Sequence, residues 1–122
     1  MNVVDSSGWI AFFRAERNAE VFSKPLSDLD QLLVPSICIT EVFKFLARFQ
    51  DELAAVSASS HMCQARVVDL DGALAIDAAN CALQFGLPLA DSIIYATARK
   101  FDAVVWTQDA DFKDLPGVNF LV

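Results

Sequence analysis

The sequence predicts one α/β domain over residues 1–122: a parallel sheet of about five strands with helices on both faces. Three observations carry this expectation. Short, continuous apolar runs, several of them valine-rich, recur along the chain, as in strands buried on both faces. Helical stretches separate these runs, the alternation that produces a parallel sheet. A length of 122 residues suits one core of this kind, and no repeat, linker or low-complexity tract divides it.

Taken in order, Val3-Val4 reads as the first strand, closed by Asp5-Ser6-Ser7-Gly8 as a polar turn. A short helix follows over Trp9–Arg14. Residues Asn18–Leu33 are mixed, and Pro25 and Asp28 mark turns or caps of one or two short helices. Leu32-Leu33-Val34, closed by Pro35, is the second strand. Ser36 can cap a helix over Ile37–Gln50, in which Val42, Phe45, Leu46 and Phe49 share a stripe. Asp51–Ala65 is a weaker helix, diluted by Ser57, Ser59 and Ser60. Arg66–Asp71 is the third strand and its exit. The alanine-rich stretch Gly72–Gly86 is helical, with Gly86 as its stop. Pro88 opens a helix over Leu89–Phe101. Ala103–Thr107 and Val118–Val122 are the fourth and fifth strands.

Composition narrows the function. With 55% hydrophobic and 20% charged residues, disorder is excluded. A net charge of −7 and a pI near 4.4 argue against a protein that coats nucleic acid through bulk positive charge. No stretch of about 18 uncharged apolar residues predicts a membrane span. Met1–Asp5 lacks the basic-then-apolar order of a signal peptide, which points to the cytoplasm. Cys38, Cys63 and Cys81 are odd in number and form no CxxC pair, so three small buried thiols in a reducing compartment are expected. His61-Met62-Cys63 could form a soft-metal corner, but no partnering cluster accompanies the chain's one histidine.

In α/β sheets, function sits at the carboxyl ends of the strands. Asp5 ends the first strand, and the fourth runs through Thr107 to Asp109 and Asp111. Asp91 lies in the first turn of the Leu89 helix and Glu41 in the second turn of the Ile37 helix. Both helices start from segments that can emerge on that edge. Singly, each acid has a bland explanation. The helix dipole favours Asp91 by about 0.3–1 kcal/mol, and Asp5 and Asp109 are ordinary turn formers. Glu41, on the rim of an apolar stripe, is harder to explain away, and four acids around one edge outweigh the separate explanations. Gathered carboxylates repel unless a cation compensates them. Oxygen ligands without His or Cys select Mg²⁺ or Mn²⁺ over zinc, ions that can activate water and stabilise charge on a phosphate. The four acids would account for four of the seven net negative charges.

At these residues the chain resembles the PIN domain, and within it the VapC-type ribonuclease toxins of bacterial and archaeal toxin–antitoxin pairs. The matching pieces are Val3-Val4-Asp5-Ser6-Ser7, Ile39-Thr40-Glu41-Val42, the stretch from Leu89-Ala90-Asp91-Ser92 to Ala98, and Val105-Trp106-Thr107-Gln108-Asp109-Ala110-Asp111-Phe112. They span nearly the whole chain in the family's order. The resemblance implies a Mg²⁺- or Mn²⁺-dependent endoribonuclease and a cognate antitoxin as partner. By position, Asp5, Glu41 and Asp91 match the family's three central acids. Asp109 matches the fourth, more variable one, and Asp111 is a candidate for the same job. Ser6 and Thr107 match hydroxyl positions that support the metal site. The implied mechanism is attack of a metal-activated water on an RNA phosphodiester, with the acids holding the metal and sharing the work of general base.

Lys44 and Arg48 stand three and seven residues after Glu41, on its flank of the helix. They either guide the RNA backbone or solvate the surface, Lys44 by pairing with Glu41. Arg14 is a further candidate RNA contact, and Arg17 a weaker one. Six of the ten Phe residues precede position 51. Phe12, Phe13 and Phe43 look surplus to one core, which suggests a subunit or antitoxin groove. Together with the resemblance they favour a homodimer. Two rivals remain. A phosphoacceptor receiver domain would use Asp5 with Asp69 or Asp71, but no acidic pair closes the first strand and no Lys-Pro follows the last. A haloacid-dehalogenase-like phosphatase fails because Asp5-Ser6-Ser7 lacks the second aspartate. A non-catalytic module of the same fold would be told apart by Asp5→Asn.

Overall fold

Five short apolar segments pair side by side and all in parallel: β1 (Asn2–Val4), β2 (Leu32–Pro35), β3 (Arg66–Val68), β4 (Val104–Thr107) and β5 (Val118–Phe120). The computed structural model describes residues 1–122 and orders these strands β3-β2-β1-β4-β5. Val3 stands beside Leu33 on one side and Val105 on the other. Successive strand residues face opposite sides of a sheet. Val3 and Val4 are nonetheless both fully buried, as are Leu33 and Val34. Helices therefore cover both faces, and unbroken apolar runs are what such strands require.

Six helices do the covering: α1 (Ser6–Phe13), α2 (Ala19–Ser27), α3 (Ser36–Phe49), α4 (Glu52–Met62), α5 (Gly72–Phe85) and α6 (Leu89–Lys100). α1 packs on α2 and α3, α3 on α4, and α5 on α6. Trp9, Phe22, Tyr95 and Phe112 are the bulkiest buried side chains. α6 is the most enclosed helix, buried continuously from Ser92 to Ala98. No single helix is long and apolar enough to cross a membrane.

Several local expectations need correction. Ser6, Ser7 and Gly8 are the first turn of α1, not a turn before it, because the Asp5 carboxylate accepts the Gly8 N–H at 3.0 Å and caps the helix. Ser36 does not cap α3. β2 runs through Pro35 directly into the helix, and no side chain caps it. Cys38, Val42 and Leu46 form the buried stripe of α3, while Phe45 is half-buried and Phe49 is 58% exposed. Of the cysteines only Cys38 is buried. Cys81 is intermediate on α5, and Cys63 lies exposed just beyond α4.

His61 is no metal corner. The rings of Trp9, Phe12 and Phe13 surround it at centroid distances of 6.2, 5.8 and 5.5 Å. That cluster also occupies Phe12 and Phe13, which are half-buried rather than surplus, whereas Phe43 does stay exposed. The receiver reading fails on topology. In a 2-1-3-4-5 sheet the first and third strands are neighbours, but here β2 lies between β1 and β3. Asp71 instead caps α5 by accepting the Leu74 N–H at 2.8 Å.

Candidate functional site

The strand order turns at β1: β2 and β3 continue on one side, β4 and β5 on the other. A crevice opens at the carboxyl ends of strands at such a switch point, here between β1 and β4. Asp5 is the first residue past β1, and its N–H donates to the Trp106 carbonyl at 3.1 Å. Its carboxylate is only 2% exposed. Oδ2 accepts from Thr107 Oγ1 at 2.7 Å, and Oδ1 accepts from Ser7 Oγ at 2.8 Å and from the Gly8 N–H. Burial pushes the Asp5 pKa up to about 6, although these hydrogen bonds oppose the rise; the nearby charge of Asp109 adds to it.

Thr107 ends β4 and links the two strands. While it donates to Asp5, its oxygen accepts the Asp109 N–H at 2.9 Å. Asp109 in turn accepts the Asp111 N–H at 2.9 Å and opens the one-turn 3₁₀ helix Ala110–Phe112. The first turn of α6 brings in Asp91, half-buried. Burial, and then the charges of Asp109, Asp5, Asp111 and Glu41, push its pKa up to about 7. From α3, Glu41 accepts the Ser6 hydroxyl at 2.6 Å, which ties it to the start of α1.

The acids predicted from the sequence are thus brought to one edge, but not equally. Asp91, Asp109 and Asp111 each place a carboxylate oxygen within 4.8 Å of the others. Asp5 and Glu41 lie outside that trio. Asp5 is engaged by Thr107, Ser7 and Gly8, and Glu41 by Ser6. One residue escaped the sequence reading. Ser7 follows the named Ser6, and only the helical start of α1 turns its hydroxyl onto Asp5. Cys38, expected as a buried thiol, does lie fully buried, its thiol pushed well up by burial and by the charges of Asp5, Glu41 and Asp91 against the opposing hydrogen bond with Ser6.

The basic candidates gather beside Glu41. Lys44 makes no ion pair with it. Arg48 lies 5.2 Å over the Phe49 ring and Arg14 5.4 Å over Phe45, with Glu16 3.9 Å from Arg14. Glu41, Lys44, Phe45, Arg48 and Phe49 line a cavity of about 210 Å³. Arg17 is exposed and unpaired. A second cavity, about 460 Å³, lies along α5 and α6 and is apolar, with Leu70, Ala78, Leu83, Leu89 and Ile93 in its walls.

A family model described as PIN domain matches residues 3–118. No curated protein matches the sequence. Among solved structures, the fold is similar to a toxin–antitoxin complex from Klebsiella pneumoniae at TM-score 0.79 and 22% identity, covering 98% of this chain and 96% of that one. It is also similar to Mycobacterium tuberculosis VapC20, a toxin that cleaves the sarcin–ricin loop, at TM-score 0.78 and 20% identity over 92% of each chain. DNA-bound VapBC from Salmonella typhimurium matches at TM-score 0.73 and 17% identity, with 98% and 96% covered. At such identities the likeness speaks for the fold.

Proposed function

The chain belongs to the PIN domain family, and from that premise we propose that it is a divalent-metal-dependent endoribonuclease, the toxin of a type II toxin–antitoxin pair. The observation that carries this reading is the trio Asp91, Asp109 and Asp111, with carboxylate oxygens within 4.8 Å of one another at the β1/β4 crevice. The donor set fits the ion. It offers only hard carboxylate oxygens, with the single histidine enclosed elsewhere by aromatic rings, a chemistry that suits Mg²⁺ or Mn²⁺.

In this reading Asp91, Asp109 and Asp111 would hold the ion, with Asp5 and Glu41 completing the acidic wall. When bound, the ion lowers the pKa of a coordinated water and offsets negative charge on the phosphate. Thr107 positions: it anchors Asp5 through its hydroxyl proton and holds the Asp109 backbone through its oxygen. Ser6 orients Glu41, leaving one carboxylate oxygen free of that bond. Glu41 and the acids not bound to the ion share the acceptance of a proton from the attacking water. Lys44, Arg48 and Arg14 take the RNA backbone alongside.

The partners follow from the same reading: a cognate antitoxin that masks the site, and a second copy of this chain. For the homodimer contact we propose the α5–α6 face, where Leu83 and Leu89, 86% and 79% exposed, line the larger apolar cavity. The working compartment is the cytoplasm.

Calorimetric titration of Mn²⁺ into wild type and Asp91→Asn, side by side, tests the centre. The expected result is binding by wild type and far weaker binding by the variant. Equal binding would remove Asp91 from the centre and sink the mechanism. Asp5→Asn separates the enzyme from a non-catalytic module: loss of cleavage with the fold intact supports the enzyme.

A further inference from the structure

The groove beside Glu41 contains more than cations. Phe45 and Phe49, one helical turn apart on α3, hold their rings 4.7 Å apart at 44°. Phe49 keeps 58% of its surface open, unusual for a residue type that mostly finds burial. Arg14 and Arg48 lie over the two rings, and Lys44 joins them in the groove wall. Three of the chain's nine basic residues therefore meet here on a protein of net charge −7. Glu41 belongs both to this groove and to the acidic edge, so the two are continuous.

Exposed aromatic surface beside mobile surface cations is the recognition chemistry of single-stranded nucleic acid. Every base offers a face for stacking, while guanidinium and ammonium groups compensate the flanking phosphates. A duplex keeps its bases stacked inside and out of reach of the rings. A greasy peptide helix would want an apolar wall, but three of the five lining residues are charged. We propose that Phe49, backed by Phe45, forms a stacking subsite for an unpaired nucleobase of single-stranded RNA, next to the scissile phosphodiester, with Arg48 leaving the Phe49 ring to join Lys44 on the adjoining phosphates. This deepens the nuclease reading and rests on it.

The test is fluorescence anisotropy with short labelled oligomers: single-stranded oligoadenylate, an abasic ribose-phosphate chain of equal length, and an RNA duplex. Ca²⁺ replaces Mg²⁺, and the oligomers are checked for intactness afterwards. Phe49→Ala is expected to weaken oligoadenylate binding by at least about fivefold and to leave the abasic chain unaffected. Phe49→Trp should restore the affinity. Arg48→Gln should weaken both single strands and reduce the salt slope by about 0.7. Because Phe49 is largely exposed, these variants should melt like wild type.

The proposal is overturned if Phe49→Ala acts equally on both single strands or on neither, or if the duplex binds as tightly as the single strand. It is equally overturned if Phe49→Ala spares oligoadenylate binding but releases a co-expressed antitoxin, which would assign the groove to the protein partner. Failure of wild type to bind any oligomer also removes the subsite. Cleavage of total RNA by wild type in Mn²⁺ then decides the broader reading: if it persists, the nuclease reading stands without the subsite; if it is absent, both fall.

Discussion

Thr107 is the residue on which two acids depend. Its hydroxyl donates to Asp5 and accepts from the Asp109 backbone, so replacing it with valine breaks both bonds while nearly preserving shape. Partners that orient metal ligands are worth about 10–100-fold in metal affinity. Thr107→Val should lower Mn²⁺ affinity by that order, and Thr107→Ser should restore most of it, both read by calorimetry. Proton linkage gives a second expectation. Asp5 and Asp91 have pKa values of about 6 and about 7 in the fold, against 3.8 ordinarily. Between about pH 4 and 7 the folded protein therefore binds more protons than the unfolded chain, so stability falls as pH rises through that window. In EDTA the melting temperature should be lower at pH 8 than at pH 5 by a few degrees. The drop should shrink in Asp91→Asn, and Mn²⁺ should reverse it at pH 8. A metal-free protein that melts equally at both pH values would contradict this account of buried, mutually repelling acids.

Among the elements, α1 is where sequence and structure diverge most usefully. Asp5-Ser6-Ser7-Gly8 has turn-forming composition, and read alone it closes a strand. In the fold the same residues are a capped first helical turn, since the Asp5 carboxylate supplies the N-cap and the chain enters the helix without a loop. This entry turns Ser7 onto Asp5 and Ser6 onto Glu41. Gly8 is required for close approach rather than for a turn. A Cβ there would stand 2.5 Å from Val4 Cγ1 and 2.8 Å from Phe22 Cε1. Gly8→Ala should cost about 1–3 kcal/mol through overpacking, measurable by urea unfolding, and should impair cleavage by shifting the turn that bears Ser6 and Ser7. α3 teaches the same lesson in reverse. Helical spacing put Phe45 and Phe49 on the stripe with Val42 and Leu46, but the packed arc is narrower than the stripe, and the two rings fall at its rim beside the site.

For the whole molecule, the acidic balance and the proposed RNA substrate are reconciled by distribution: Glu41 is the one acid in the wall of a groove beside which Arg14, Lys44 and Arg48 gather. Metal removal should reveal this. Stripping the ion with EDTA should abolish RNA cleavage, and Mn²⁺ should return it, read on a gel. The apolar α5–α6 face makes a separate prediction. Leu83, 86% exposed, can accept a charge without disturbing the core, so Leu83→Glu should convert the expected dimer to a monomer in sedimentation velocity while leaving the melting profile of the monomer cooperative. A wild type that sediments as a monomer would remove that face from the assembly.

The sequence by itself determined the class of fold, because apolar runs too continuous for a one-sided sheet leave few arrangements other than a parallel sheet covered on both faces. It also placed Asp5, Asp91, Asp109 and Asp111 at strand ends and a helix start, since those positions follow from element boundaries. Tertiary structure alone decided the rest. The strand order, which local periodicity does not encode, set β1 against β4 and moved Asp71 away from Asp5. Side-chain direction decided which acids come within ligand distance and which are tied up by hydroxyls. Packing of α1 and α4 gave His61 its aromatic surround, a contact between residues some fifty positions apart that no short-range spacing could reveal.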